Sequence, residues 1–349
     1  MVLFNPYFAI QRAIAAKSGI KIQCKTLLWC VLLATFIKPS SADDLLDVYR
    51  VAVSNDTELL AADAQRKAAL QRYKQSISLL ILQADVNADI STFKRELGNS
   101  STTNTTQGYT LSLTQPVYHR DSWKLVSQTD ALTAQAEASY QSVGQSLIVR
   151  TSELYFDVLA AFDDLELAIA EKKADAKQLD QAKQRFEVGL IAITDVHESQ
   201  AGHDLSAARE IAAENDLSNA KESLRELTGQ YHDDLKRLVE EIPLLYPEPQ
   251  NVKEWINTSL SQNFSLLAAQ YSLKAAKENT KVQKAEHLPY LDLIGQHSYV
   301  NESNFFRNEE LTDSSLTLQV TLPLSRGGGT IARVRESEYQ YNEARENLE

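Results

Sequence analysis

Residues 109–116 read Tyr-Thr-Leu-Ser-Leu-Thr-Gln-Pro, and residues 316–323 read Leu-Thr-Leu-Gln-Val-Thr-Leu-Pro. In both, apolar side chains alternate with short polar ones, and a proline closes the run. A period of two puts Tyr109, Leu111 and Leu113, and likewise Leu316, Leu318 and Val320, on a single face of a strand. The two stretches stand 207 residues apart. At that same offset Leu59-Leu60-Ala61-Ala62 reappears as Leu266-Leu267-Ala268-Ala269, and Lys67-Ala68-Ala69 as Lys274-Ala275-Ala276. Asp85 matches Asp292, Leu111 matches Leu318 and Pro116 matches Pro323. One or two such matches arise by chance, but a whole set at one offset, with no insertion, is a duplication.

Each copy has a second strand-like segment, Val86–Phe93 in the first and Leu291–Tyr299 in the second, joined to its partner by a polar stretch read as a loop (Lys94–Gln107 and Asn301–Ser314). The hairpins are thus expected over 86–118 and 291–324. One hairpin with a dry face would pass for an ordinary half-buried one. Two, repeated in an exported helical chain, fit the strands of a membrane β-barrel, with Tyr109, Leu111, Leu113, Leu316, Leu318 and Val320 facing outer-membrane lipid. Four strands cannot close a barrel, and lipid does not tolerate an open edge, so several chains must share one.

Between the hairpins the chain is helical. No proline occurs from Val117 to Ile242, the glycines of that interval are Gly144, Gly189, Gly202 and Gly229 alone, and alanine, glutamine, leucine, glutamate and lysine dominate it. Apolar residues recur at three- and four-residue steps: Leu147, Leu154, Val158, Phe162, Leu165, then Leu217, Ala220, Leu224, Leu227. This is one buried seam with solvated faces elsewhere. The pattern breaks at Val188-Gly189-Leu190, predicting a helix over 121–187 and a return helix over 194–227, with Thr194-Asp195 as its N-cap. At 1.5 Å per residue the first is ~100 Å long, a length that belongs to coiled coils.

Residues 1–42 carry Arg12, Lys17, Lys21, Lys25 and Lys38 and no acidic residue. An eleven-residue apolar run, Leu27–Ile37, follows the first four, and Ser40 and Ala42 supply small residues before a cut at Asp43. That is a signal peptide; the run is shorter than the ~20 residues a spanning helix needs. Trp29 before Cys30 disfavours lipidation there. The remaining chain has 30 basic and 47 acidic residues, a net charge of −17, and no cysteine. A nucleic-acid partner, which requires a basic surface, is excluded on this count, as is thiol chemistry.

Three stretches carry a family resemblance: Ala52–Ala62 (AVSNDTELLAA), Arg185–Val196 (RFEVGLIAITDV) and His287–Leu293 (HLPYLDL), the last followed by Leu322-Pro323-Leu324 and Gly327-Gly328. Through them the chain, from about Asp44 to its last residue, resembles the TolC family of outer-membrane efflux channels. The resemblance implies a mainly α fold with transmembrane β-strands. Each chain of a homotrimer would give four strands to one twelve-stranded barrel, and coiled-coil helical hairpins to a periplasmic tunnel. It implies that the short helix near Asp56–Leu79 and the return helix stack end to end along the long helix. It also implies that Val188, Gly189 and Leu190 form the periplasmic tip that meets an adaptor, the membrane fusion protein. Gln178, Thr194 and Asp195 would join the hydrogen-bond and salt-bridge network closing the aperture; by themselves, Thr194 and Asp195 read first as a helix cap. Leu82 stands where the second copy has Pro289, so the first helix-to-strand bend is expected to differ.

The expected organisation is a leader (1–42), a first repeat (43–249) and an incomplete second repeat (250–349). Glu349 corresponds to Ser142, which leaves the second copy about 107 residues short of the first, as a fragment or a truncated product, without a second tip. No cofactor or catalytic group is expected. His197 and His203 lie six residues apart, ~120° around a helix, and position 201, where a helical zinc motif places its second histidine, is Ala201. Gly327-Gly328-Gly329 lacks a P-loop lysine and fits a strand-to-helix turn. The expected function is a passive outer-membrane exit duct for multidrug efflux, type I protein secretion or both, working with a periplasmic adaptor and an inner-membrane pump or ABC transporter. The competing expectation is a secreted periplasmic coiled-coil interaction protein with soluble hairpins.

Overall fold

The computed structural model describes residues 42–98, 100–239, 246–304 and 307–349; the leader reading of residues 1–41 lies outside them. The elements run α1 (Leu45–Asn55), α2 (Thr57–Ser78), β1 (Gln83–Leu97), β2 (Ser100–Tyr118), α3 (Arg120–Glu187), α4 (Ile193–Thr228), α5 (Val252–Gln262), α6 (Phe264–Ala285), β3 (Tyr290–Asn304), β4 (Arg307–Thr321) and α7 (Gly329–Glu346). The duplication is visible in the backbone. The bounds of α1, α2 and β1 recur 207 residues later as those of α5, α6 and β3. Even the caps repeat: the Asp56 side chain accepts from the Leu59 N–H, and the Asn263 side chain from the Leu266 N–H.

The four strands form one antiparallel sheet in the order β1-β2-β3-β4, so the two hairpins join through β2 and β3. Both strands of each hairpin run further than the sequence predicts. Lys94 pairs with Thr103 and Phe93 with Asn104, and Ser303 pairs with Asn308, within stretches read as loops. Threonine is β-branched and favours extended backbone. Polarity there means water on both faces, not the absence of a strand. Pro116, which cannot donate to the ladder, is accommodated by a bulge between itself and Tyr118. Leu82 does not alter the bend: α2 and α6 both stop four residues before their strands, with Leu79 and Glu286 in the same right-handed conformation.

The helices lie within one residue of the predicted bounds, but the cap of α4 is different. Ala192 occupies the N-cap with no side-chain hydrogen bond, and Thr194 and Asp195 fall in the first turn. Two helices pack in succession along α3. Arg66 on α2 reaches Glu137 at 3.2 Å, while Arg209 on α4 reaches Glu171 at 2.6 Å. The Asn55 side-chain amide donates to the Thr228 carbonyl at 2.9 Å, pinning the end of α1 to the end of α4. Near the sheet, the packing is through small residues. Ala69, Ser76, Thr129, Ala131, Ala138 and Ala275 are buried, and Ser76 and Thr129 share a 2.7 Å hydroxyl bond. Small side chains let helix axes approach closely. The bulky core lies mainly in the middle, where Val48, Tyr155, Val158, Leu224 and Leu235 form one cluster and Leu147, Ala52, Leu59 and Leu227 a second.

Candidate functional site

Strand register sorts the side chains into two faces. Val86, Leu111, His297 and Ser314 stand opposite one another across the sheet, as do Ala88, Tyr109, Tyr299 and Thr312, and Ala84, Leu113, Gly295 and Leu316. All six residues expected to face lipid therefore share one side, together with Val86, Ile90, Leu291 and Leu293. The other side presents Asp85, Asp89, Thr110, Ser112, Asp292, Gln296, Asp313 and Thr317, interrupted by Phe93, Ile294, Val300 and Leu311. No helix packs on either face among the described residues. Val86, Ile90 and Leu316 are 72–77% exposed. A dry face this large, without its own core, needs an apolar solvent.

The dry belt is slanted. Its upper edge falls from Ile90 on β1 through Tyr109 and Tyr299 to Leu316 on β4. Ile90 is level with Glu310 across the sheet, so the edge descends six residues over three strand spacings. At ~3.3 Å per residue and ~4.8 Å per spacing, the strands tilt ~54° from the belt normal, inclined as in closed barrels but steeper than their usual ~35–45°. Tyr109 and Tyr299 stack at 5.8 Å near that edge, where membrane barrels carry aromatic residues.

Below the sheet, His119 joins the two repeats through its Nε2, 2.8 Å from Asp292 Oδ1. At mid-length, Arg150 holds Asp56 through both terminal nitrogens at 3.0 and 3.2 Å, and Asp56 is 4% exposed. The Asp43 amide donates to the Asp234 carbonyl and the Lys236 amide to the Asp43 carbonyl, while His232 Nδ1 sits 2.7 Å from the Asp43 carboxylate. The Tyr155 hydroxyl donates to the Lys236 carbonyl, and burial, with the charges of Asp44 and Asp43, holds its pKa above the phenol value. Sequence spacing does not reveal these contacts, because each joins residues 81 or more positions apart.

At the far end, Val188 and Leu190 are 70% and 74% exposed, and Gly189 has φ +77°. The Leu190 amide donates to the Arg185 carbonyl and the Gly189 amide to the Phe186 carbonyl. This pair of bonds is the Schellman closure, which satisfies the last carbonyls of α3. Gln178, Thr194 and Asp195 are all exposed nearby. Thr194 Oγ1 lies 3.4 Å from Asp195 Oδ1, and no hydrogen bond joins Gln178 to either residue among the described ones. Within one chain, these three do not form a network.

A sheet dry on one side and wet on the other, carried on a helical hairpin whose longer arm spans ~100 Å, defines a barrel-and-tunnel channel protein of the outer membrane. The sequence model for Outer membrane efflux protein matches residues 48–230 and 255–349. The chain is 36% identical over 312 residues to the outer membrane protein TolC of Vibrio cholerae, covering 88% of this chain and 71% of that protein. It is 26% identical to the alkaline protease secretion protein AprF of Pseudomonas aeruginosa, over 93% of this chain and 70% of that one. The CmeC outer membrane channel of Campylobacter jejuni superposes with a TM-score of 0.73 at 17% identity, over 87% of this chain and 66% of that chain, a likeness of fold. The chain belongs to the outer membrane efflux protein family, of the TolC kind. It is an outer-membrane exit-duct protein of efflux and type I secretion, a channel and not an enzyme.

Proposed function

We propose that the chain acts as one subunit of a homotrimeric passive conduit. Its sheet forms a third of a lipid-embedded barrel and its helices line a tunnel to a periplasmic adaptor and an inner-membrane pump. The observation that carries this is the slanted dry belt, on which no helix packs among the described residues. In a soluble coiled-coil protein the hairpins would turn that face onto the helices. Apolar residues left exposed on the helices, Leu167, Ile169, Leu205 and Ile211, support contact between copies. The division into a first repeat (43–249) and a second (250–349) follows the 207-residue offset of the elements. In this assembly Val188, Gly189 and Leu190 form the adaptor-facing tip. Gln178, Thr194 and Asp195 face their counterparts across the axis, and the acidic wet face favours cations electrostatically.

Fractionation tests the reading. The protein is expected in outer membranes after a carbonate wash and as a detergent-resistant trimer. A soluble monomer in the periplasm would overturn it.

A further inference from the structure

We infer that β4 of one subunit pairs with β1 of the next in the register that β2 keeps with β3, so that Leu318 faces the partner's Ile90 and Asp313 the partner's Arg95. This rests on the trimeric barrel proposed above and specifies its seam. β4 is the 207-residue repeat of β2, and β3 that of β1. In the observed pairing, Leu111 faces His297, Leu113 faces Gly295, Gln115 faces Leu293 and Thr106 faces Glu302. Carried over by the offset, Leu318 meets the partner's Ile90, Val320 the partner's Ala88 and Leu322 the partner's Val86. Asp313 meets the partner's Arg95.

Three observations support the transfer. The first is strand length. β2 has 19 residues and β4 has 15, and the extra residues of β2 are those held by β3, including Gln115 against Leu293 and Tyr118 against Leu291. Their counterparts, Leu322 to Ser325, lie at an edge with no neighbour among the described residues, and they are not strand. The second is exposure. Ile90 and Val320 on the edge strands are 77% and 67% exposed, whereas Leu111 and Leu293 inside the sheet are partly buried.

The third is closure of the belt. Its edge falls six residues over the three spacings of the sheet, a mean of two in uneven steps, and one more spacing at that mean reaches the level of Leu318. Only the inferred register puts the partner's Ile90, the top of the next belt, at that level. A slip of one residue turns the partner's dry side chains inward. A slip of two residues either way steps the belt. It also sets Asp313 against the partner's Phe93 or Leu97 and separates it from the partner's Arg95. Opposite charges across a strand pair are favourable and help set register.

The seam can be read by cross-linking the full chain, whose cysteines are confined to Cys24 and Cys30. With both changed to serine, Leu318→Cys is combined in turn with Ile90→Cys, Ala88→Cys and Thr92→Cys, and outer membranes are oxidised. The Ile90 combination is expected to give reducible covalent trimers at roughly ten times the yield of the others, since diagonal neighbours exceed disulfide reach. Strongest linkage at Ala88 or Thr92 in an intact trimer would overturn the register alone. Absence of any oligomer on detergent extraction of the unmutated chain would overturn the trimer itself. As an independent arm, Arg95→Asp should lower the fraction of heat-resistant trimer, and Arg95→Asp with Asp313→Arg should restore it. No restoration would overturn the pairing.

Discussion

At the scale of single residues, a few positions hold what the patterns only outline. Gly108 sits in β2 where a Cβ would fall 2.4 Å from the Tyr299 carbonyl oxygen, a contact with backbone that cannot swing aside. Gly108→Ala should force β2 from β3 and cost about 1–3 kcal/mol, as overpacking does. A drop in the heat resistance of the folded barrel on gels would show it, with Gly202→Ala, a position with nothing near, as the control. Arg150 is the counter-charge for Asp56, which also caps α2. Arg150→Met leaves a buried carboxylate without its partner and should destabilise by about 3 kcal/mol, less whatever solvent screens. Adding Asp56→Asn, which keeps the cap and removes the charge, should recover most of that loss in a thermal melt.

The Asp44 carboxyl accepts from the Asp47 and Leu46 amides, and the Asp47 amide, first of these, helps hold its pKa below the ordinary 3.8. A lowered native pKa means the cap contributes fully above the usual carboxylate range and is lost as pH falls through the native value. Asp44→Asn should therefore flatten the acid limb of stability while leaving neutral pH little changed, as a melt series from neutral to about pH 3 would record.

At the scale of elements, the tip depends on one residue that can adopt φ +77°. Gly189→Val places a β-branched side chain in the left-handed region, at a cost of about 1–2 kcal/mol, and reshapes the turn between Val188 and Leu190. Since the tip is far from the sheet, membrane insertion should be unchanged while adaptor cross-linking to the tip falls. Loss of both together would remove the tip from that role. Long periodic elements and glycine breaks were legible in the sequence because each is written locally: α3 and α4 fall within a residue of expectation, and Gly189 marks the turn. The strand extensions were not, because Thr102 to Thr106 are polar on both faces, and a period-two pattern needs one dry side to be seen. Thr194 and Asp195 resemble a cap by composition, but the N-cap of α4 falls two residues before Thr194, at Ala192, whose side chain cannot cap. The contacts of Arg150, His119 and His232 depend on which helices meet, which only the folded chain decides.

At the scale of the whole molecule, the register makes adjacent residues opposites. Leu111 lies within the dry belt and Ser112 on the wet face beside it. If the belt faces lipid, a charge at Leu111 must enter hydrocarbon, whereas one at Ser112 enters a water-filled lumen. Leu111→Arg should cost about 2–4 kcal/mol, the penalty for arginine near the bilayer midplane, and Ser112→Arg should be nearly neutral. The readout is the yield of detergent-resistant oligomer in outer membranes. Helices and strands make different demands here: replacing either residue in a soluble hairpin would only add charge to a surface, with no contrast between neighbours. Equal tolerance at the two positions would mean that both faces see water. The belt would then have to be covered by protein, since a dry surface of this extent does not persist in water uncovered.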